Sequence, residues 1–140
     1  MRDGLAELPA VRLHGTYQPA DLDAILDAAD VGLVPSTWEE VLGHVGLECL
    51  AKGLPVIANA RGGVLDYALP DTTGWVNRSC GGAELAEIMA EVIDRPEEVV
   101  RLNGEILERR DELVKPLERH LAELDGLYAE VIAARSNGGS

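Results

Sequence analysis

The sequence predicts an α/β domain built around a short parallel sheet. Two short apolar runs, residues 31–34 and 55–58, indicate strands that are buried on both faces. Between them, His44 to Lys52 has the apolar spacing of a helix, and Gly53 follows where a left-handed C-cap is expected. Strand, loop, helix and strand within about thirty residues form a βαβ unit, whose crossover should be right-handed.

The elements before this βαβ unit are indicated by weaker sequence patterns. Residues Met1–Ala10 form a polar lead-in without a clear period. Val11–Leu13 is predicted to be a short strand, which ends in the loop His14–Tyr17. A helix over residues 22–29 follows, because its apolar side chains fall on one stripe. We therefore expect three or four strands, with the two strong ones as parallel neighbours.

The chain beyond the unit is mostly helical. A short helix is expected over Val64–Leu69, and Trp75-Val76 indicates a brief strand. Helices follow from Ala83 onward, with Pro96 in the first turn of one of them. The predicted organisation is a lead-in (1–10), one domain (11–113), a C-terminal helix (114–135) and a tail (136–140). A break near residues 115–116 separates the last helix, about 117–134, from the domain.

Composition restricts the function classes. The chain has 140 residues, enough for one domain with a core, and its net charge of −13 argues against nucleic acid or an anionic membrane as partner. No leader and no apolar run near the length of a membrane span is visible, so a cytoplasmic location is expected. Cys49 and Cys80 lack metal-ligand spacing and are expected to be reduced thiols. Neither a nucleophile set nor a metal cluster is found, so we expect no metal and no cofactor.

Two glutamates lie where open α/β sheets bind ligands, outside the carboxyl end of the first strand. Glu40 is in the loop that enters the helix, and Glu48 is a turn inside the helix. Because helix side chains lean toward the N-terminus, Glu48 can point back to the crevice that Glu40 lines. Gly43 allows close approach of a ligand, and free amides at the helix start can receive an anion. Carboxylates can accept hydrogen bonds from sugar hydroxyls, and here they lie beside a helix end that can bind phosphate. This combination favours a nucleotide-diphosphate sugar as the ligand.

An ordered set of short motifs surrounds these acids. It consists of PS-x-W-x-E from Pro35, G-x4-E from Gly43, A-x-G-x-PVIA from Ala51 and the pair Gly62-Gly63. The set resembles the donor half of retaining GT-B glycosyltransferases of the E-x7-E type, the glycosyl transferases group 1 or family 4. The resemblance implies a Rossmann-like three-layer domain with a short parallel sheet, the truncated C-terminal half of a GT-B fold.

The resemblance also implies roles for individual residues. Glu40 would contact the donor sugar as the catalytic residue, and Glu48 would hold the ribose hydroxyls. The other implied donor-binding residues are Gly43, His44, Val45, Ser36, Gly15 and Thr16. A complete enzyme of this family also has an N-terminal acceptor domain and an Arg/Lys pair for the diphosphate. The resemblance covers only the part after both, so we expect this chain alone to be inactive.

Alternatives remain open for several of these residues. The loop His14–Tyr17 is either part of a nucleobase site or a simple turn, and His44 either reaches the ligand or faces solvent. Trp38 is expected to brace the loop by packing, and Lys52 and Arg61 are expected to face solvent. The alternative function is a non-catalytic domain that binds a nucleotide or protein, and a weaker one is an epimerase or phosphorylase of the same architecture. An exposed sheet edge near Val11 would favour self-association.

Overall fold

A computed structural model describes residues 8–137, with side chains through residue 135. Most of the predicted lead-in, residues 1–7, and the end of the predicted tail, residues 138–140, lie outside the described residues. The regular elements are, in chain order, α1 (Leu22–Leu26), β1 (Gly32–Val34), α2 (His44–Ala51), β2 (Val56–Asn59), β3 (Gly74–Asn77), α3 (Gly82–Asp94), α4 (Pro96–Glu108), α5 (Arg110–Leu113) and α6 (Leu117–Asn137). Two short 3-10 segments, Pro19–Asp21 and Gly62–Asp66, join them.

The sheet is parallel throughout and has the order β1-β2-β3. Gly32 faces Val56 across the first strand pair, and Asn59 faces Asn77 across the second. The carboxyl ends of all three strands therefore lie at one edge of the sheet. The α/β fold class and the parallel pairing of the two apolar runs are confirmed.

The core lies between the sheet and helices α2 and α4. All four residues of β2 are buried, as expected for a central parallel strand. The larger apolar core is formed by Val34, Cys49, Leu50, Leu54, Val56, Ala58, Val64, Tyr67, Ala68, Leu102 and Ile106. Gly53 ends α2 with a φ of +84°, and its carbonyl accepts a hydrogen bond from Asn103 Nδ2 of α4 at 2.9 Å. The predicted left-handed C-cap is therefore confirmed, and it joins α2 to α4.

The predicted strand Val11–Leu13 is wrong. A strand is held by ladder hydrogen bonds to a neighbour, and residues 11–13 belong to no strand pair of the described sheet.

Two other elements are shorter or tighter than predicted. Helix α1 ends at Leu26, because Ala29 N donates to the Leu26 carbonyl in a three-residue turn instead of continuing the helix. The predicted helix Val64–Leu69 is replaced by the 3-10 segment, which starts at the glycine pair.

The described residues contain no helix that is long and apolar enough to cross a membrane. Among the same residues, no group of three or more His, Cys, Asp or Glu side chains is arranged to hold a metal ion. Both cysteines are free thiols. Cys49 is buried beneath β1, and burial together with the charge of Glu48 raises the pKa of its thiol.

Candidate functional site

A cleft of about 340 Å³ opens at the carboxyl end of β1, beside the first turn of α2. Its walls come from the end of the strand, the following loop and the start of the helix. The lining residues are Leu33, Val34, Pro35, Ser36, Trp38, Glu40, Gly43, His44 and Val45. The structure therefore brings five predicted site residues together in one cavity, at the edge of the sheet where ligands of open α/β sheets bind.

Glu40 is held in this cleft by a neighbouring hydroxyl. Ser36 Oγ donates a hydrogen bond of 2.7 Å to Glu40 Oε1. A hydrogen bond to an ionised carboxylate is stronger than a neutral one, so it favours a single carboxylate orientation. Within the described residues, Glu40 Oε2 has no hydrogen-bond partner. One carboxylate oxygen is thus fixed by the protein and the other is available to a ligand hydroxyl.

The glycine pair lies directly against the Glu40 loop. Gly63 N donates a 2.8 Å hydrogen bond to the Glu40 carbonyl. A Cβ on Gly62 would come closer than 3.0 Å to the Glu40 carbonyl oxygen, and a Cβ on Gly63 would meet the Val41 carbonyl in the same way. These contacts are with backbone atoms, which cannot move aside without shifting the loop. The glycines are therefore required for close packing of the loop that carries Glu40.

Helix α2 begins with a left-handed glycine. Gly43 has a φ of +67°, and within the described residues no side-chain hydrogen bond caps the helix start. Its carbonyl accepts hydrogen bonds from Tyr67 Oη and from Gly46 N, each of 3.0 Å. The amides of His44 and Val45 open the helix without an intrahelical acceptor, and both residues line the cleft. The helix start therefore offers amide donors and the positive end of its dipole to an anion.

Tyr67 is a site residue that sequence reasoning missed. Its side chain is buried, and burial with the nearby charge of Glu40 raises the pKa of its phenol to about 12. The ring occupies the space that a Cβ on Gly46 would need. Gly46 and Tyr67 are 21 positions apart, so only the tertiary structure shows that one accommodates the other. The signal in the sequence was a glycine inside a helical pattern, which often marks close packing.

Three predicted site residues do not line this cleft. Glu48 lies one turn inside α2, half-buried, and it has no hydrogen bond or ion pair within the described residues. Gly15 lines a separate cavity of about 500 Å³ together with Arg12, Leu13 and His14. Thr16 is exposed beside it. The loop predicted to lie near the nucleobase is thus concave, but it belongs to a different cavity.

Trp38 corrects one expectation, and the two nearby cations lie outside the cleft lining as partly exposed side chains. Trp38 does not pack into the protein: its side chain is 65% exposed and lines the cleft, where an aromatic face is open to a ligand. The side chain of Lys52 is 31% exposed and pairs at the surface with Asp23 at 2.9 Å, and that partner raises the pKa of the lysine. Arg61 pairs with Glu39 at 3.5 Å, and its Nε atom is buried. Both cations are therefore already paired with carboxylates.

The parallel sheet with a cleft at its carboxyl edge defines a Rossmann-like α/β domain. The profile of the family "Glycosyl transferases group 1" matches residues 6–107. The chain belongs to this family.

Similar proteins agree with this assignment. A D-inositol 3-phosphate glycosyltransferase of Corynebacterium efficiens is 30% identical over 129 residues, which is 92% of this chain and 30% of the relative. A sulfoquinovosyl transferase of Arabidopsis thaliana is 40% identical over 67 residues, 48% of this chain and 13% of the relative. The chain thus spans less than a third of the length of these relatives.

Solved structures show the same fold. A sucrose-phosphate synthase from Thermosynechococcus elongatus superposes with a TM-score of 0.79 at 30% identity, covering 89% of this chain and 31% of that structure. Anabaena HepE in complex with UDP-glucose gives a TM-score of 0.74 at 20% identity, covering 94% of this chain and 34% of that structure. The predicted family resemblance is confirmed.

Proposed function

We propose that this chain is the donor-binding part of a retaining glycosyltransferase. A nucleotide-diphosphate sugar would bind at the cleft beside α2, and the whole protein would transfer the sugar to an acceptor. The observation that supports this most directly is the Ser36–Glu40 hydrogen bond of 2.7 Å, which fixes one oxygen of a cleft carboxylate and, among the residues that the structure describes, leaves the other without a protein donor. Such a carboxylate suits a sugar hydroxyl or the developing positive charge at an anomeric carbon.

The two ends of the donor would meet different parts of the site. The diphosphate would lie against the amides of His44 and Val45, because a helix N-terminus favours negative charge. The sugar would then lie toward Glu40, on the loop side of the cleft. Anabaena HepE, which has the same fold, has been crystallised with UDP and with UDP-glucose. Ligands of that class fit the division of the cleft into an acidic side and an amide side.

Glu48 is proposed to hold the ribose hydroxyls. Its carboxylate is half-buried and has no protein partner within the described residues. A carboxylate in that state gains from two hydroxyl donors, since each charge-assisted hydrogen bond contributes roughly 1.5–3 kcal/mol. The nucleobase would lie beyond it, toward Gly15 and Thr16. No metal ion or other cofactor enters this proposal.

The proposal includes low activity of this chain by itself. The cleft is lined by neither lysine nor arginine within the described residues, and the nearby Arg61 is paired with Glu39. Electrostatic stabilisation of developing charge, here that of the leaving diphosphate, usually contributes more to catalysis than any other single effect. The cations for this purpose and the acceptor site would come from an N-terminal acceptor domain and the first part of the donor domain. We also propose a cytoplasmic location, consistent with free cysteines.

The experiment is a calorimetric titration of the chain with UDP and with UDP-glucose. Glu48→Gln keeps the shape but removes the charge, and it should weaken both ligands by about tenfold or more. Glu40→Gln should weaken UDP-glucose while UDP binds nearly as before. Glu87→Gln is the matched control, since Glu87 is an exposed glutamate of α3 that is not among the lining residues of the cleft, and it should change neither affinity.

The same titration distinguishes the alternatives. If the chain binds UDP and UDP-glucose equally and Glu40→Gln affects neither, the non-catalytic nucleotide-binding domain is the better description. If both glutamine variants bind as the unmodified chain does, the assignment of the site is wrong.

A further inference from the structure

Two buried carboxamides connect the strand ends behind the cleft. Asn59 is the last residue of β2 and Asn77 is the last residue of β3, and they are direct partners in the sheet register. Their side chains are 3% and 0% exposed. Asn77 Nδ2 donates a hydrogen bond of 2.7 Å to Asn59 Oδ1. Because a buried polar group is costly unless it is hydrogen-bonded, such a pair needs partners on every side.

Those partners fix the orientation of both amide groups. Asn59 Nδ2 donates to the Ser36 carbonyl at 3.1 Å, and Asn77 Nδ2 also donates to the Gly81 carbonyl at 3.0 Å. A backbone carbonyl can only accept, so each NH₂ group must face its carbonyl. The oxygen of Asn59 is then left to accept from Asn77, and Ser79 Oγ donates to the oxygen of Asn77 at 3.2 Å. Rotation of either amide by half a turn would break several of these hydrogen bonds at once.

The network ends at the carboxylate of Glu40. Asn59 donates a hydrogen bond to the carbonyl of Ser36, and the hydroxyl of the same serine donates one to Glu40 Oε1 at 2.7 Å. At the other end of the loop segment, Gly63 N holds the Glu40 carbonyl at 2.8 Å. The loop has no regular secondary structure, so its position depends on such individual hydrogen bonds.

We propose that Asn59 is a positioning residue for Glu40 and that Asn77 locks Asn59 in the orientation this requires. This positioning role rests on the proposed function only for the identity of the ligand group that Glu40 contacts. An apolar pair at these two positions would fill the same space, but it would leave the Ser36 carbonyl without its donor. The amides therefore serve the placement of the loop, and through the loop they tune the distinction between a sugar nucleotide and the bare nucleotide.

Asn59→Asp tests this with little change in shape. An aspartate still accepts a hydrogen bond from Asn77, but its second oxygen faces the Ser36 carbonyl as acceptor against acceptor. The matched control is Asn103→Asp in α4, where a carboxamide likewise donates to a backbone carbonyl, that of Gly53, at 2.9 Å. The two substitutions make the same chemical change, and only the first touches the loop.

The first readout is hydrogen exchange of the full chain without ligand. We expect the Gly63 amide, whose acceptor is the Glu40 carbonyl, to exchange at least about tenfold faster in Asn59→Asp relative to the Leu54 amide. The Leu54 amide donates to the Cys49 carbonyl at 2.9 Å and reports on the core. In Asn103→Asp, the ratio between these two amides should stay within about twofold of its original value.

The second readout is titration with UDP-glucose and with UDP. Asn59→Asp should weaken UDP-glucose by about tenfold and change UDP by less than about twofold. A merely structural role would lower thermal stability and weaken both ligands alike, as Asn103→Asp would. If the unmodified chain binds neither ligand, the proposed function fails, and the exchange ratio still decides the positioning role.

A fallback variant covers the case in which Asn59→Asp does not fold. Asn59→Ala combined with Asn77→Ala removes both amides, so neither is left facing an unpaired partner, and the loop again loses its tie at Ser36. If the ratio of Gly63 to Leu54 amide exchange is unchanged in whichever of these two variants is able to fold, the proposal is wrong.

Discussion

Gly46→Ala tests how closely α2 is packed against Tyr67. A Cβ at position 46 would come closer than 3.0 Å to three atoms of the tyrosine ring and hydroxyl, so the ring must move. Overpacking of this kind costs roughly 1–3 kcal/mol, and losing the Tyr67–Gly43 hydrogen bond costs about 0.5–1.5 kcal/mol more. Alanine returns up to about 1 kcal/mol of helix propensity. The net loss is about 0.5–3.5 kcal/mol.

The assay is thermal and urea unfolding followed by circular dichroism. For a chain of this size, the loss corresponds to a Tm lowered by roughly 3–5 °C per kcal/mol. Gly104→Ala in α4 is the control, because its added Cβ meets nothing within 4 Å. That variant should be as stable as the unmodified chain or slightly more stable. A Gly46→Ala protein with the stability of Gly104→Ala would refute the packing argument.

Three further predictions concern the core, the pH dependence and the sheet edge. Gly32→Ala should destabilise the chain by about 1–3 kcal/mol, since its Cβ would lie 2.5 Å from Cys49 Sγ. Cys49→Ala in the same chain should restore most of this loss, which is checked by unfolding curves of Gly32→Ala, Cys49→Ala and the double variant. Because the folded state raises the pKa of Tyr67 from about 10 to about 12, its contribution is complete below pH 10 and lost as the pH rises to 12. The free energy of unfolding of the unmodified chain, measured in urea, should therefore fall by up to about 3 kcal/mol more than that of Tyr67→Phe across this window, and parallel curves would contradict it. The strand β1 lies at an edge of the sheet, so sedimentation at high concentration should show self-association of the chain. Leu33→Lys places a charge at an exposed position of that strand and should weaken the association, whereas a monomer at every concentration would contradict the prediction.

The sequence was informative where structure is decided locally. The strands β1 and β2, the helix between them and its cap at Gly53 follow from short apolar runs and a glycine, because those patterns specify both burial and chain reversal. The family motifs also predicted that Ser36 and Glu40 would share a site. The cleft that joins them is seen in the structure.

Long-range contacts could not be predicted in this way. Val11–Leu13 has a strand-like composition, but a strand requires a partner, and composition does not supply one. Tyr67 and Asn59 are ordinary residues in the sequence, and their roles depend on what the fold places beside them. A buried asparagine at the end of an apolar strand is the one sequence signal that could have indicated Asn59, since such a residue needs a hydrogen-bond partner.

The position of α4 has a consequence for synthesis of the chain. Leu102 and Ile106 are fully buried in the same core as Leu50 and Val56, and the Asn103–Gly53 hydrogen bond joins residues 50 positions apart. A ribosome adds those residues in about 3–10 seconds. During that time the βαβ unit has its strands but lacks the helix that covers them. Chaperones and proteases therefore have a window of seconds in which the nascent chain exposes the apolar surface that α4 later covers.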